Sequence, residues 1–380
     1  MSETASGPLT GLRILDLTGT MSGPYCTLLL AQLGATVDKV EPPAGDITRS
    51  LMRGRNEAMT PIFLGLNVGK RSVLLNLKDP EDRKRFTALL PRYDAVVHNM
   101  RPAAAGRIGL TEEGLAEAGS SALLCEIVGY GPGPYEDRPA YDDTTQSISG
   151  MAWVQGRGEQ PEYVRAAVAD KTAGLYAALG ICAALLGREK GNDSATVRIP
   201  MFETMVAYTV VEQLGGLTFD PPEGPPLYPR TMSPSRRPFA TADGYLGVML
   251  YTDKHWVSFL TWLGRDDLAA DPNYTSVSGR SLHIDEAYGF LAKELKARTT
   301  DEWLDIMEEL DVPASRVHSF HDLLEDPHLE KSGAIVVEDH PTEGRVRRVR
   351  APFLIDGCML ADPSPAPTLG QHTDVVLGES

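Results

Sequence analysis

The chain has 380 residues, 42% hydrophobic and 23% charged, the balance of a soluble globular protein long enough for two domains. Its formal net charge of −16 argues against nucleic-acid binding, which needs a basic stripe. No basic or apolar leader opens the chain, no apolar run reaches the ~18 residues of a membrane span, and Cys26, Cys125, Cys182 and Cys358 form no C-x-x-C pair, so a cytoplasmic protein without a membrane partner is expected.

Residues 11–41 read as a β-α-β unit: an apolar strand over 13–17, a turn over 18–23, a helix over 25–33 opened by Pro24 and closed by Gly34, and a second strand over 36–41. A dinucleotide site is the competing reading, since Glu41 falls near the position of a ribose-binding acid. The turn from Gly19 to Pro24 does not satisfy G-x-G-x-x-G, however, and Pro24 lacks an N–H. A second unit follows. Residues 67–71 form a basic turn into a strand over 72–77. Asp79-Pro80-Glu81-Asp82 starts a helix, 94–99 is a strand, Thr111 opens a short helix, and 122–128 is a strand. This alternation predicts a mostly parallel, doubly wound α/β sheet, with ligands at the carboxyl ends of its strands.

Gly129 to Pro134 is a turn-rich loop leading to Tyr141-Asp142-Asp143, where the aspartates suit a helix start. Residues 165–190 read as an extended piece running into one long helix, with about 14 weakly apolar residues, too few to span a bilayer. Gly174, Gly180 and Gly187 each cost this helix about 1 kcal/mol against Ala, which implies close packing on its backbone. Asp170 falls at its N-cap, a position that suits either a plain cap or a catalytic carboxylate. A strand over 195–199 and a helix over 201–214 come next. The Pro-rich stretch 219–226 reads as a linker. Beyond it are a hairpin turning at Asp243-Gly244 and helices over 253–263, 278–298 and 300–310, with Arg280 and Trp303 as structural residues. The basic cluster 345–350 reads as a solvated strand.

The ordered set of motifs resembles the class III CoA-transferases, the family of formyl-CoA transferase and carnitine CoA-transferase. It comprises Leu15-Asp16-Leu17 with Gly23-Pro24, Leu33 through Pro42, Gly45-Asp46 with Arg49, and Asn67 through Val73. It continues with Asn99-Met100-Arg101-Pro102, Gly129-Tyr130-Gly131, Tyr141-Asp142 with Gln146, Ala169-Asp170, Arg237-Pro238-Phe239 and Leu369 through Thr373. The resemblance implies a Rossmann-like large domain (1–220, completed by 331–380) and a smaller α+β domain (227–330), in an interlocked homodimer. It also implies transfer of CoA from an acyl-CoA to a carboxylic acid, with no permanently bound cofactor and no metal. Asp170 takes the position of the nucleophile, which forms an anhydride and then a thioester with CoA. CoA contacts are implied for Thr20, Met21, Ser22, Asn99, Met100, Arg107, Tyr141 and Asp142, with Lys70 or Arg71 supplying phosphate charge. A helix N-terminus at Asp170 suggests free N–H groups for an oxyanion. Pro42, Met21 and Pro139 depart from formyl-CoA transferase, and no glycine-rich loop corresponds to its active-site cover. The rival 2-methylacyl-CoA racemase has a His where this chain has Tyr141, a poor base at neutral pH. A non-catalytic CoA-binding protein is the third reading.

Overall fold

A computed structural model describes residues 7–379. The opening stretch read for a leader lies mostly outside that range. The described chain divides into two compact units, one formed by 7–152, 163–209 and 328–379 and the other by 153–162 and 210–327.

The first unit is built on a six-stranded parallel sheet: β1 (Arg13–Leu17), β2 (Thr36–Glu41), β3 (Lys70–Leu74), β4 (Ala95–His98), β5 (Leu123–Val128) and β6 (Thr196–Pro200). Their order is β3-β2-β1-β4-β5-β6, the doubly wound arrangement in which the winding reverses between β1 and β4. Strand alternation divides the core between the two faces. Ile14, Val37, Val97, Cys125 and Ile127 pack on one side with Ala173, Ala177 and Ile181. Leu15, Val40, Val73, Val96 and Leu124 pack on the other with Phe86, Leu89 and Leu115. Both faces are covered, which is why these strands carry apolar residues in near-continuous runs.

The helices of this unit are α1 (Ser22–Gln32), α2 (Pro61–Leu66), α3 (Pro80–Leu89), α4 (Pro102–Arg107), α5 (Glu112–Glu117), α6 (Asp142–Ile148), α7 (Met151–Gln155, which runs on past the unit's edge), α8 (Val168–Glu189) and α9 (Met201–Val210). Asp79 caps α3 with Pro80 at its first position, and Thr111 caps α5, as their sequences predict. Two expectations change. Helix α1 begins at Ser22, so Ser22 and Gly23 belong to its first turn and Pro24 is its third residue. Helix α8 runs for 22 residues, and by length and composition it alone among the described helices could cross a membrane. One face of it, from Ala169 to Ile181, is nevertheless buried in the sheet core. Gly174 is where α1 crosses: a Cβ there would lie 2.5 Å from the Ser22 carbonyl. Gly180 meets Val197, while Gly187 has no comparable neighbour.

The chain end returns to the β3 edge, where the His372 N–H donates to the Ser72 carbonyl at 2.9 Å. Strand Gly344–Val349 pairs antiparallel with Ile335–His340. It is less solvated than its sequence suggests, because Arg348 is buried between Glu338 and Asp362.

In the second unit β7 (Phe239–Ala240), β8 (Tyr245–Val248) and β9 (Ala314–Arg316) form an antiparallel sheet, with the predicted turn at Asp243-Gly244. The single helix expected over 278–298 is interrupted at His283, whose ψ of 31° leaves the helical region. Trp303 is fully buried and donates its indole N–H to the Leu295 carbonyl, and Arg280 is buried beside Asp253.

Candidate active site

A cavity of about 240 Å³ opens at the carboxyl ends of β1, β4, β5 and β6, spanning the reversal between β1 and β4. Thr20 and Ser22 after β1, Asn99 and Met100 after β4, Tyr141 before α6 and Asp170 on α8 all line it. Backbone N–H and carbonyl groups are unpaired at strand ends and helix starts, so such edges offer binding groups that the sheet interior does not.

Asp170 is the third residue of α8, not its cap, and the N-cap residue Ala167 offers no side-chain acceptor. The cap comes from elsewhere in the chain. Asp142 Oδ1 accepts the N–H groups of Ala169 at 2.8 Å and Asp170 at 3.1 Å, while its Oδ2 accepts from Gln146 Nε2 at 2.6 Å. Gln146 in turn accepts the Val164 N–H at 2.8 Å, which ties the approach to α8 onto α6. The other early N–H groups are also taken, Val168 by the Ala166 carbonyl and Lys171 by that of Ala167. The oxyanion site expected at this helix end is therefore occupied by Asp142.

Burial raises the Asp170 carboxyl to about 6, and the Asp142 charge adds to the rise; a hydrogen bond from Ser22 opposes both, and Asp143 contributes a further upward push. At pH 7 such a group is mostly ionised yet more basic than an ordinary carboxylate, a useful combination for a nucleophile.

The turn facing Asp170 is held by Asn99. Its Oδ1 accepts the Gly19 N–H at 3.0 Å, and its Nδ2 donates to the Gly19 carbonyl at 2.8 Å and to Ser22 Oγ at 3.4 Å. Thr20 takes a left-handed backbone with φ of 69°, a conformation that costs a β-branched residue and persists only under such restraint.

Below the turn lies a buried ionic network. Asp16 accepts from the Thr18 N–H at 2.8 Å, Thr27 Oγ1 at 2.6 Å and Lys70 Nζ at 3.2 Å. Burial alone would raise its pKa, but Lys39, Lys70 and the hydroxyls of Thr18 and Thr27, both donating to it, hold it well below the usual carboxylate range. Lys39 Nζ donates to the Thr18 carbonyl at 2.7 Å and pairs with Asp46 at 2.9 Å. Asp46 reaches the Thr20 N–H at 3.3 Å.

This network changes the reading of the basic turn. Lys70 is fully buried, and its amine is shared among Asp16, the Pro24 carbonyl and Asn67. Burial draws it down to about 8 against the upward pull of Asp16. Arg71 forks onto Asp38 at 2.5 and 2.7 Å and pairs with Glu379. Both cations are committed to other residues and neither lines the cavity. Met21 is the N-cap residue of α1, its carbonyl accepting from Tyr25, and it does not line the cavity either. Arg107 ends α4 as an exposed side chain outside the cavity wall. The arginines that do line it are Arg101 and Arg138, the latter 4.1 Å from the Tyr135 ring centre. Each precedes a proline; Arg101 belongs to the Asn99-Met100-Arg101-Pro102 motif without a role assigned there, and Arg138 had no signal beyond its Arg-Pro pair. Among the described residues no three His, Cys, Asp or Glu side chains converge as a metal site.

Residues 9–373 match the model of CoA-transferase family III. The chain belongs to that family. Formyl-CoA:oxalate CoA-transferases from Bradyrhizobium sp. (strain ORS 278) and Afipia carboxidovorans are each 32% identical to this family III CoA-transferase, over 97% of its length and 92% of theirs. A CaiB/BaiF family protein from Brucella suis superposes with a TM-score of 0.82 at 26% identity, covering 98% of this chain and 99% of that one. A hypothetical protein from Mycobacterium tuberculosis gives the same TM-score and identity. In this family III CoA-transferase the acyl-CoA and the acid are substrates, and Asp170 lies where helix α8 meets the cavity.

Proposed function

We propose that Asp170 moves CoA from an acyl-CoA to a carboxylic acid by covalent catalysis. The observation that carries this reading is a half-buried carboxyl of pKa about 6 in the cavity wall, on a helix whose start is held by Asp142. Asp170 attacks the donor thioester carbonyl; the C–S bond breaks, leaving an aspartyl–acyl anhydride and CoA thiolate. The thiolate attacks the aspartyl carbonyl, releasing the donor acid and forming an aspartyl-CoA thioester. The acceptor carboxylate then displaces thiolate to give a second anhydride. Thiolate attacks its acyl carbonyl, which yields the new acyl-CoA and frees Asp170. Each step exchanges one acyl bond for another without net proton transfer, so a single carboxylate suffices.

The N–H group of Ser22, at the start of α1 in the cavity wall, meets no acceptor among the described residues, and we assign it to the developing oxyanion in place of the α8 terminus. Thr20, Asn99, Met100 and Tyr141 contact the CoA ester in this reading, and Arg107 with Arg101 takes its phosphates. Formyl-CoA and oxalate, named for the Bradyrhizobium relative, are the first donor and acceptor to try. Racemisation draws no support from Tyr141, which is 70% exposed and whose hydroxyl meets no hydrogen-bond partner among the described residues. A cytoplasmic homodimer with interlocked subunits completes the reading. The outward face of α8, where Leu175, Leu179 and Leu186 are exposed, supports the subunit association alone.

The test is covalent trapping. Hydroxylamine added to enzyme incubated with an acyl-CoA donor should convert the Asp170 side chain to a hydroxamate, read by peptide mass, while Asp170→Ala loses transfer and still binds CoA esters. An unmodified Asp170 peptide, or a folded Asp170→Ala protein with full activity, overturns the mechanism.

A further inference from the structure

The second unit carries a concavity of about 340 Å³ to which the transfer chemistry assigns no role. Arg230, Arg236 and Arg237 stand around it, with Phe239, Val248 and Tyr288 as apolar walls. Among the described residues none of the three arginines forms an ion pair, although the chain carries 52 acidic residues against 36 basic ones. Arg230 is the most telling. Its Nη1 rests 3.1 Å from Met249 Sδ, a weak acceptor, and its Nε is buried with no acceptor at all. A guanidinium N–H removed from water without a partner is costly. Three unneutralised cations around one concavity add repulsion.

The loop presenting these groups is held in place. Ser233 is buried and donates to Asp285 at 2.5 Å, its oxygen accepts the Ser235 N–H at 3.1 Å, and the Arg236 N–H reaches the Ser233 carbonyl. The arginines thus project from a fixed backbone, and forked donors on a fixed backbone match a planar oxyanion.

We propose that this concavity binds an organic carboxylate, with the guanidinium groups holding the oxyanion and Phe239, Val248 and Tyr288 covering its apolar body. The site does not depend on the reaction at Asp170. The test is calorimetric titration of the full-length protein with hexanoate and, separately, with inorganic phosphate. We expect saturable hexanoate binding that is weakened about tenfold or more in Arg230→Gln/Arg237→Gln, the loss of one charge-assisted contact being worth that much. The inactive Asp170→Asn protein should bind hexanoate as the wild type does, which separates this site from the transfer reaction. If the double variant fails to fold by circular dichroism, the exposed Arg237→Gln substitution alone carries the comparison. Absence of saturable hexanoate binding overturns the proposal. So does unchanged affinity in the folded arginine variant, or phosphate binding as tight as hexanoate, which would leave the apolar walls without a role.

Discussion

Asp170→Asn should abolish CoA transfer and, above neutral pH, make the protein more stable. The substitution keeps the shape of the side chain and removes only its ionisation. The carboxyl is raised from an ordinary 3.8 to about 6, first by burial and then by Asp142. That rise corresponds to about 3 kcal/mol of unfavourable ionisation in the folded state. The sign follows from proton counts. Between about pH 4 and 6 the folded state keeps a proton that the unfolded chain has lost, so wild-type stability falls as pH rises through that window. The penalty is about 0.5 kcal/mol at pH 4 and complete above about pH 7, and the Asn variant never incurs it. For a unit of this size 1 kcal/mol moves Tm by roughly 2–4 °C, so the variant should melt about 6–12 °C higher at pH 8 and within about 2 °C of wild type at pH 4. Differential scanning calorimetry across that range reads the gap directly. A variant equally or less stable at pH 8, or a gap that does not change with pH, would refute the claim that Asp170 is a strained, functional carboxylate.

Two further substitutions test the surroundings. Gly174→Ala drives a methyl group to within 2.5 Å of the Ser22 carbonyl, so α1 must move off α8; we expect a loss of about 1–3 kcal/mol in urea denaturation and a fall in kcat as Ser22 leaves Asp170. Arg107→Ala should raise the KM for two chemically different acyl-CoA donors about tenfold or more with little change in kcat, since a phosphate contact is felt equally in ground and transition states. A variant that loses thermal stability and keeps its KM would instead make Arg107 a helix-end residue.

Much of the scaffold is legible locally. The alternation of apolar strands with capped helices announces a parallel sheet, Asp79-Pro80 and Thr111 mark helix starts to the residue, and Gly34 ends α1 with a positive φ of 101°. Gly174 in a helix signals close packing before the partner is known. The candidate site is less legible because its side chains look alike in one dimension. Nothing in the run Asn67 through Arg71 distinguishes a lysine that points to solvent from one buried under a turn, yet Lys70 contacts Asp16, 54 positions away.

By its sequence alone this chain is a doubly wound α/β protein with a carboxylate near the start of a long helix, since strand and helix periods, caps and turn residues act within a few positions of one another. The tertiary structure decided the strand order, which Asp capped α8, which cations were left for a ligand, and the rise of Asp170 to about 6. Those properties depend on burial and on charges brought together from distant parts of the chain. Asp142 is 28 residues from the N–H it accepts at Asp170, and only the packing of α6 against α8 places its charge beside that carboxyl and removes the water that would have screened it.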